Sequence, residues 1–310
     1  MAGETKRQRY EILRAQLSTE RATFIPLYKE LSENILPRRS RFDIQDVNKG
    51  DRRNQKIINP AATIAARTAR SGMMAGITSP ARPWFRLTTP DPDLAEFGRV
   101  KEFLHTVDKR MTTVFLKSNL YNKLPTTYGD LLTFATSPIS IEEDVDDIIR
   151  CEAFPVGSYM IAKDYRGRVN VFFREFRMTV RQLIEQFGEK NNKGEPDWTK
   201  FSTKIRQLFQ DGQYETWVDI CHVIKPNDDY KPSSPLSSHK KFVSCYYERG
   251  ASTNSGGSYM AQEEDIYLRE SGFDYFPILC PRWEVTGEDV YGTSCPGIEA
   301  LGEVKALQLM

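Results

Sequence analysis

The chain has 310 residues, with 43 Lys and Arg against 42 Asp and Glu, a net charge of +1, and 39% hydrophobic and 27% charged residues. These values, with a mean hydropathy of −0.53, exclude both a miniprotein and a disordered chain: at roughly 100–200 residues per domain there is length for about two folded domains. The near-neutral total hides an asymmetry, because residues 1–90 hold 17 Lys and Arg against 8 Asp and Glu, and residues 91–310 hold 26 against 34. Such a split points to a basic region facing a partner, or to a chain whose opposite charges meet in an assembly. No window approaches the ~20 consecutive apolar residues of a membrane helix, and the start MAGETKRQRYEILRAQ lacks the apolar stretch of a secretion signal, so no membrane partner and a cytoplasmic place of synthesis are expected. Cys151, Cys221, Cys245, Cys280 and Cys295 show no CxxC spacing and are expected to be buried free thiols.

Tyr10, Leu13, Leu17, Phe24, Leu27, Tyr28, Leu31 and Ile35 recur at three- and four-residue steps, which predicts one long helix over 4–36, closed by Pro37. The stretch 38–57 has little periodicity, seven basic residues and Gly50, and is expected to be an exposed basic loop. Asn59 and Pro60 supply an N-cap and a first-turn proline for an Ala-rich helix through Ile77, expected to be buried on much of its surface. Prolines punctuate a short predicted strand at 84–89, then amphipathic patterns predict helices over 94–118 and 121–137. Beyond Pro138 the periodicity shifts to two. Strands are predicted at 139–141, as a hairpin over 159–176, and at 215–226, 241–249, 263–271 and 276–285, with a short helix at 179–188 ended by Gly188. Residues 296–310 open with a proline and return to helical spacing. The fold class expected is α+β: a mainly helical part over 1–137, a mostly antiparallel strand-rich part over 138–290, and the start of a further helix over 291–310.

Motifs for chemistry are sparse. GxxxxGK[ST], GxGxxG ahead of a helix, GxSxG and HExxH are all missing, and His105, His222 and His239 are too few and too scattered for a triad or a metal site. His222 has Cys221 beside it, but in a strand the two side chains point to opposite faces. The run Glu142, Glu143, Asp144, Asp146 and Asp147 could attract a divalent cation, although a solvated acidic turn is the plainer reading because no calcium-loop pattern accompanies it. Arg38, Arg39, Arg41, Lys49, Arg52, Arg53 and Lys56 form the candidate interface, either to phosphates or to the acidic part of a neighbouring subunit. Only Phe42 offers an aromatic ring nearby, so stacking on single-stranded bases has little support. No catalytic residue, metal ligand or cofactor is expected, and the protein is read as a non-enzyme. The alternatives are a nucleic-acid-binding protein using the basic front, and a metal-dependent nuclease using the 142–147 carboxylates.

At GMMAGITSPARPWFRLTTPD (72–91) the sequence resembles the portal proteins, or head-to-tail connectors, of short-tailed bacteriophages. The likeness continues through the PRRSRF exit of the first helix, DKRMTTVFLKSNLYNKLPTTYGDLLTFATSPISIEED (108–144), CEAFPVGSYMIAKDYRGRVNVFFREF (151–176) and YGTSCPGIEALGEVKALQLM (291–310). The resemblance implies a structural virion protein, one subunit of a ring of twelve at a capsid vertex, whose channel passes double-stranded DNA during packaging and ejection. It further implies contacts with the terminase large subunit, scaffold, major capsid protein and tail adaptor. Family members are longer, so these residues are expected to be the wing portion, with stem, clip and crown lying outside them.

Overall fold

The computed structural model describes residues 5–39, 41–42, 53–189, 196–249 and 266–309. Helices lead: α1 (Lys6–Ala22), α2 (Ile25–Asn34), α3 (Ala61–Ile77), α4 (Pro92–Glu96), α5 (Gly98–Lys117) and α6 (Leu120–Phe134). Strands follow: β1 (Ile139–Asp144), β2 (Ile148–Ala153), β3 (Tyr159–Lys163) and β4 (Val169–Thr179), then, after α7 (Val180–Phe187) and α8 (Thr203–Gln210), β5 (Trp217–Pro226), β6 (Phe242–Glu248), β7 (Arg269–Phe273) and β8 (Ile278–Leu279). Two short helices, α9 (Pro296–Glu299) and α10 (Leu301–Leu309), end the chain. All strand pairing among the described residues is antiparallel, so the architecture is α+β as the sequence predicts.

The chain divides into two compact units, each discontinuous in sequence: residues 1–29, 40–51 and 157–276 form one, and 30–39, 52–156 and 277–310 the other. The first is built on a five-stranded sheet in the order β3-β4-β5-β6-β7. Its middle strand β5 carries buried apolar residues on both faces because both are covered. Cys221 and Val223 of β5 pack with Met160, Phe173, Cys245 and Tyr247 against Tyr10 and Leu17 of α1. The alternate residues Val218 and Ile220 pack with Tyr246 against Val180, Leu183 and Phe187 of α7 and Ile205 of α8. Helix α7 starts on a capping box in which the Thr179 hydroxyl accepts from the Gln182 N–H at 3.3 Å and the Gln182 side chain accepts from the Thr179 N–H at 3.0 Å.

In the second unit β1 lies between β2 and β8. Asn119, at the start of α6, locks that helix to β2: its amide donates to the Cys151 carbonyl at 2.9 Å and its oxygen accepts from the Cys151 N–H at 2.8 Å. Ile139, Cys151 and Leu120 close the core beneath this pair. Helix α3 and the short α9 both pack on α6. The approach of α9 is so close that a Cβ on Gly297 would lie 2.8 Å from the Thr133 carbonyl oxygen.

Several expected elements are corrected. The single helix over 4–36 is two helices parted at Thr23 and Phe24, because Pro26 has no N–H to return to the preceding turn and is tolerated only in the first turn of a new helix. The 94–118 helix likewise divides at Phe97 into α4 and α5. Residues 84–89 are not a strand: Trp84 stacks on Phe115 of α5, Phe85 meets the same ring edge-on, and the Leu87 N–H donates to the Asp108 carboxylate at 3.0 Å. Of the 276–285 strand only Ile278–Leu279 forms a ladder, with Arg282 and Glu284 making isolated bridges to Thr136 and Ser294. Helix α3 buries Ala66 alone and leaves Ile64 and Ile77 exposed, since α6 covers just one of its faces. Parts of the expected loops at 38–57 and 189–198, all of the 250–258 loop and residues 263–265 of the predicted 263–271 strand lie outside the described residues.

Gly297→Ala is expected to lose about 1–3 kcal/mol of stability through overpacking against α6. Gly302→Ala, where a Cβ meets open space within α10, is expected to be neutral or slightly stabilising. Thermal or urea unfolding of the two variants beside the parent chain checks the contrast.

Candidate interface

The residues of the expected basic interface are divided between the two compact units. Lys49 and Arg52 lie outside the described residues. Arg41 belongs to the first unit, where its carbonyl and Phe42 crowd Gly157; that glycine, at φ +88°, has no space for a Cβ, which would meet the Arg41 oxygen at 2.4 Å. Arg38, Arg39, Arg53 and Lys56 belong to the second unit. Lys56 pairs on the surface with Glu33 at 2.7 Å, and Arg53 is half-buried.

Arg39 has a structural partner. Its Nε donates to both oxygens of Asp130 at 2.8 and 3.0 Å, and its Nη2 donates to Oδ2, a forked contact that only a guanidinium makes. Asp130 sits on α6 and is 1% exposed. Burial pushes its carboxyl up to about 6, and the positive charges of Arg39 and Arg70 hold it from rising further. Arg70 comes from α3, with its stem over Gly129 at a distance set by the missing side chain there.

Around this buried pair opens a cleft of about 730 Å³, lined by Arg38, Arg39, Arg67, Arg70, Ile57 and Ile64 among others. Arg38 and Arg67 are exposed, and neither has an ion-pair partner among the described residues. Arg67 and Arg70 are absent from the sequence-predicted set, although their spacing of three on a helix places them on one face and offers the signal. Asp130 had no such signal: an acid within an apolar helical run is ordinarily placed at the surface.

The groups considered for chemistry are structural. His222 is buried, its Nε2 2.9 Å from the Ser244 hydroxyl and its ring stacked on Tyr246 at 3.7 Å between centroids. Burial, then the charges of Arg174 and Arg269, hold its pKa well below the usual histidine value, so it is neutral. All five cysteines are free, and burial raises the thiols of Cys151, Cys221, Cys245 and Cys295. The acidic run forms the exposed turn between β1 and β2, where Asp144 accepts from the N–H groups of Asp146 and Asp147 at 2.9 and 3.0 Å. Among the described residues no group of three or more His, Cys, Asp or Glu side chains is arranged to hold a metal ion, and no helix is long and apolar enough to cross a membrane.

The sequence family described as bacteriophage head to tail connecting protein matches residues 7–310. A portal protein of Salmonella phage epsilon15 is 48% identical over 306 residues, which cover 99% of this chain and 51% of that protein. A probable portal protein of Bordetella phage BPP-1 is 41% identical over 308 residues, covering 99% of this chain and 52% of that protein. The chain therefore spans about half the length of these relatives.

An acid whose pKa rises on folding holds its proton more tightly in the folded state. Its contribution to stability is therefore fully present below the unfolded value near 4 and is lost as the pH climbs through about 6. Asp130→Asn is expected to remove that component, so the melting temperature of the variant should gain on the parent between pH 4 and pH 7. Scanning calorimetry across this range checks it.

Proposed function

Because the chain belongs to the bacteriophage head-to-tail connecting protein family, we propose that it is part of a portal subunit. In this reading twelve copies form a ring at one capsid vertex and join head to tail, and double-stranded DNA is packaged and ejected through their channel. The observation that carries the reading is the extent of the likeness: two portal proteins match at 48% and 41% identity across 99% of the chain, helical and strand-rich parts alike. The terminase large subunit, scaffold, major capsid protein and tail adaptor are the proposed further partners, and the virion is the proposed location. These residues form the wing portion, with the mainly helical 1–137 and the strand-rich 138–290 as its two successive parts and 291–310 leading toward the stem.

A ring requires each copy to present two different surfaces that meet head to tail. The opposed charges of residues 1–90 and 91–310 suit such a contact, with Arg38, Arg39, Arg41, Lys49, Arg52, Arg53 and Lys56 as the basic side toward a neighbouring subunit or DNA. Arg39 takes part as an anchor, since Asp130 occupies its guanidinium.

Mass photometry and negative-stain microscopy of the purified protein at physiological salt test the reading. Rings with an open centre are the expected result; a protein that stays small and ring-free, also when scaffold and capsid protein are supplied, overturns it. Charge reversal at Arg52 and Arg53 together is expected to weaken ring assembly or DNA retention. Unchanged rings and unchanged packaging in that double variant would remove the 38–56 loop from the interface.

A further inference from the structure

The cleft beside Asp130 combines two properties that a phosphate backbone does not require together. Its lining includes apolar Ile57, Pro60 and Ile64, with Ile64 55% exposed, and the cationic Arg38 and Arg67 lie exposed in the same wall. The β1–β2 hairpin of the same unit carries the complementary pattern. Its tip sets a fully exposed Val145 and a 58% exposed Ile148 among Glu143, Asp146 and Asp147, all of them exposed. Ile148 holds φ +69°, a conformation unusual for a β-branched residue, and the Asp144 side chain fixes the turn through two N–H donors.

Within one copy the two features do not meet. No carboxylate of residues 142–147 pairs with Arg38, Arg39, Arg67 or Arg70 among the described residues. We propose that the β1–β2 hairpin tip of one copy inserts into the Arg38–Arg67 cleft of the next copy, with Val145 on the apolar lining and the surrounding acids against the two arginines. The inference rests on the ring reading above and names two surfaces that such a ring would join. The occupant is a second copy because one chain carries both halves of the complementarity, apolar to apolar and acid to base, on different surfaces. That is the requirement for a head-to-tail contact that closes by rotation. A DNA duplex would satisfy the arginines and leave the isoleucines and the hairpin unused.

The test uses the full-length protein and scores rings by negative stain. Glu143→Lys with Asp146→Lys and Asp147→Lys, or Arg38→Glu with Arg67→Glu, should each reduce the ring fraction at least tenfold, and the chain carrying both reversals should recover it. A second variant guards against simple misfolding: Val145→Cys with Ile64→Cys in one chain should give a ladder of disulfide-linked multimers on oxidation, whereas either cysteine alone should not. Parent rings that persist in both charge-reversed variants, or assembled rings that give no ladder, overturn the proposal and leave the portal reading intact. Loss of DNA retention in Arg38→Glu/Arg67→Glu, with rings and the hairpin variant unaffected, would assign the cleft to nucleic acid instead and equally overturns it. A parent protein that never forms rings defeats the ring reading and this inference together.

Discussion

Asp130 is buried in the middle of α6, and a carboxylate taken out of water must either keep its proton or acquire a cation. This requirement organises the second unit. The chain leaving α2 is turned so that Arg39 can present its fork, and α3 carries Arg70 across a glycine on α6. The wall so formed, lined by arginines and apolar side chains together, is the cleft. The arrangement is not cheap in stability, since the carboxyl remains shifted upward even beside two guanidinium groups. Its return is positional: segments far apart in sequence are held in one geometry by a group that accepts few others.

The first unit depends on packing more than on charge. Its sheet is covered on both faces, and the residues that fill it alternate along β5 between α1 and the α7–α8 pair. Its one buried histidine is neutral, stacked and paired to a serine, and its thiols are held in their protonated form. Both units spend their unusual residues on holding segments in place.

Much of the fold was legible in local sequence. The short helix over 179–188, the hairpin over 159–176 and the helical stripe ending near Lys117 are short-range signals with short-range causes. Misreadings arose where a second segment decides the outcome. Residues 84–89 alternate as a strand should, yet no neighbour offers them a ladder and their aromatic rings pack on α5 instead. The break at Pro26 was a local signal overridden by the long apolar stripe running through it. The α8 helix went unseen although Ser202 caps it, because the preceding polar stretch masked its start. For the candidate interface, the basic character of 38–56 was plain, while the cleft was not. It takes Arg67 and Arg70 from a helix expected to be largely buried, and it is shaped by an acid that nothing in the sequence marks as internal.

The interleaving of the two units has a consequence for synthesis on the ribosome. Helix α1 emerges first but finds its packing partners only in strands that include Cys245 and Tyr247, and α6 must wait for Gly297 to complete its own contact. Neither unit can close on a partial chain, and contacts so distant in sequence slow folding. An apolar helix face thus stays open until nearly the whole segment has been translated, which gives chaperones a defined window. The same interleaving means that the first unit is finished only after strand β7 has been translated and the second only after helix α9.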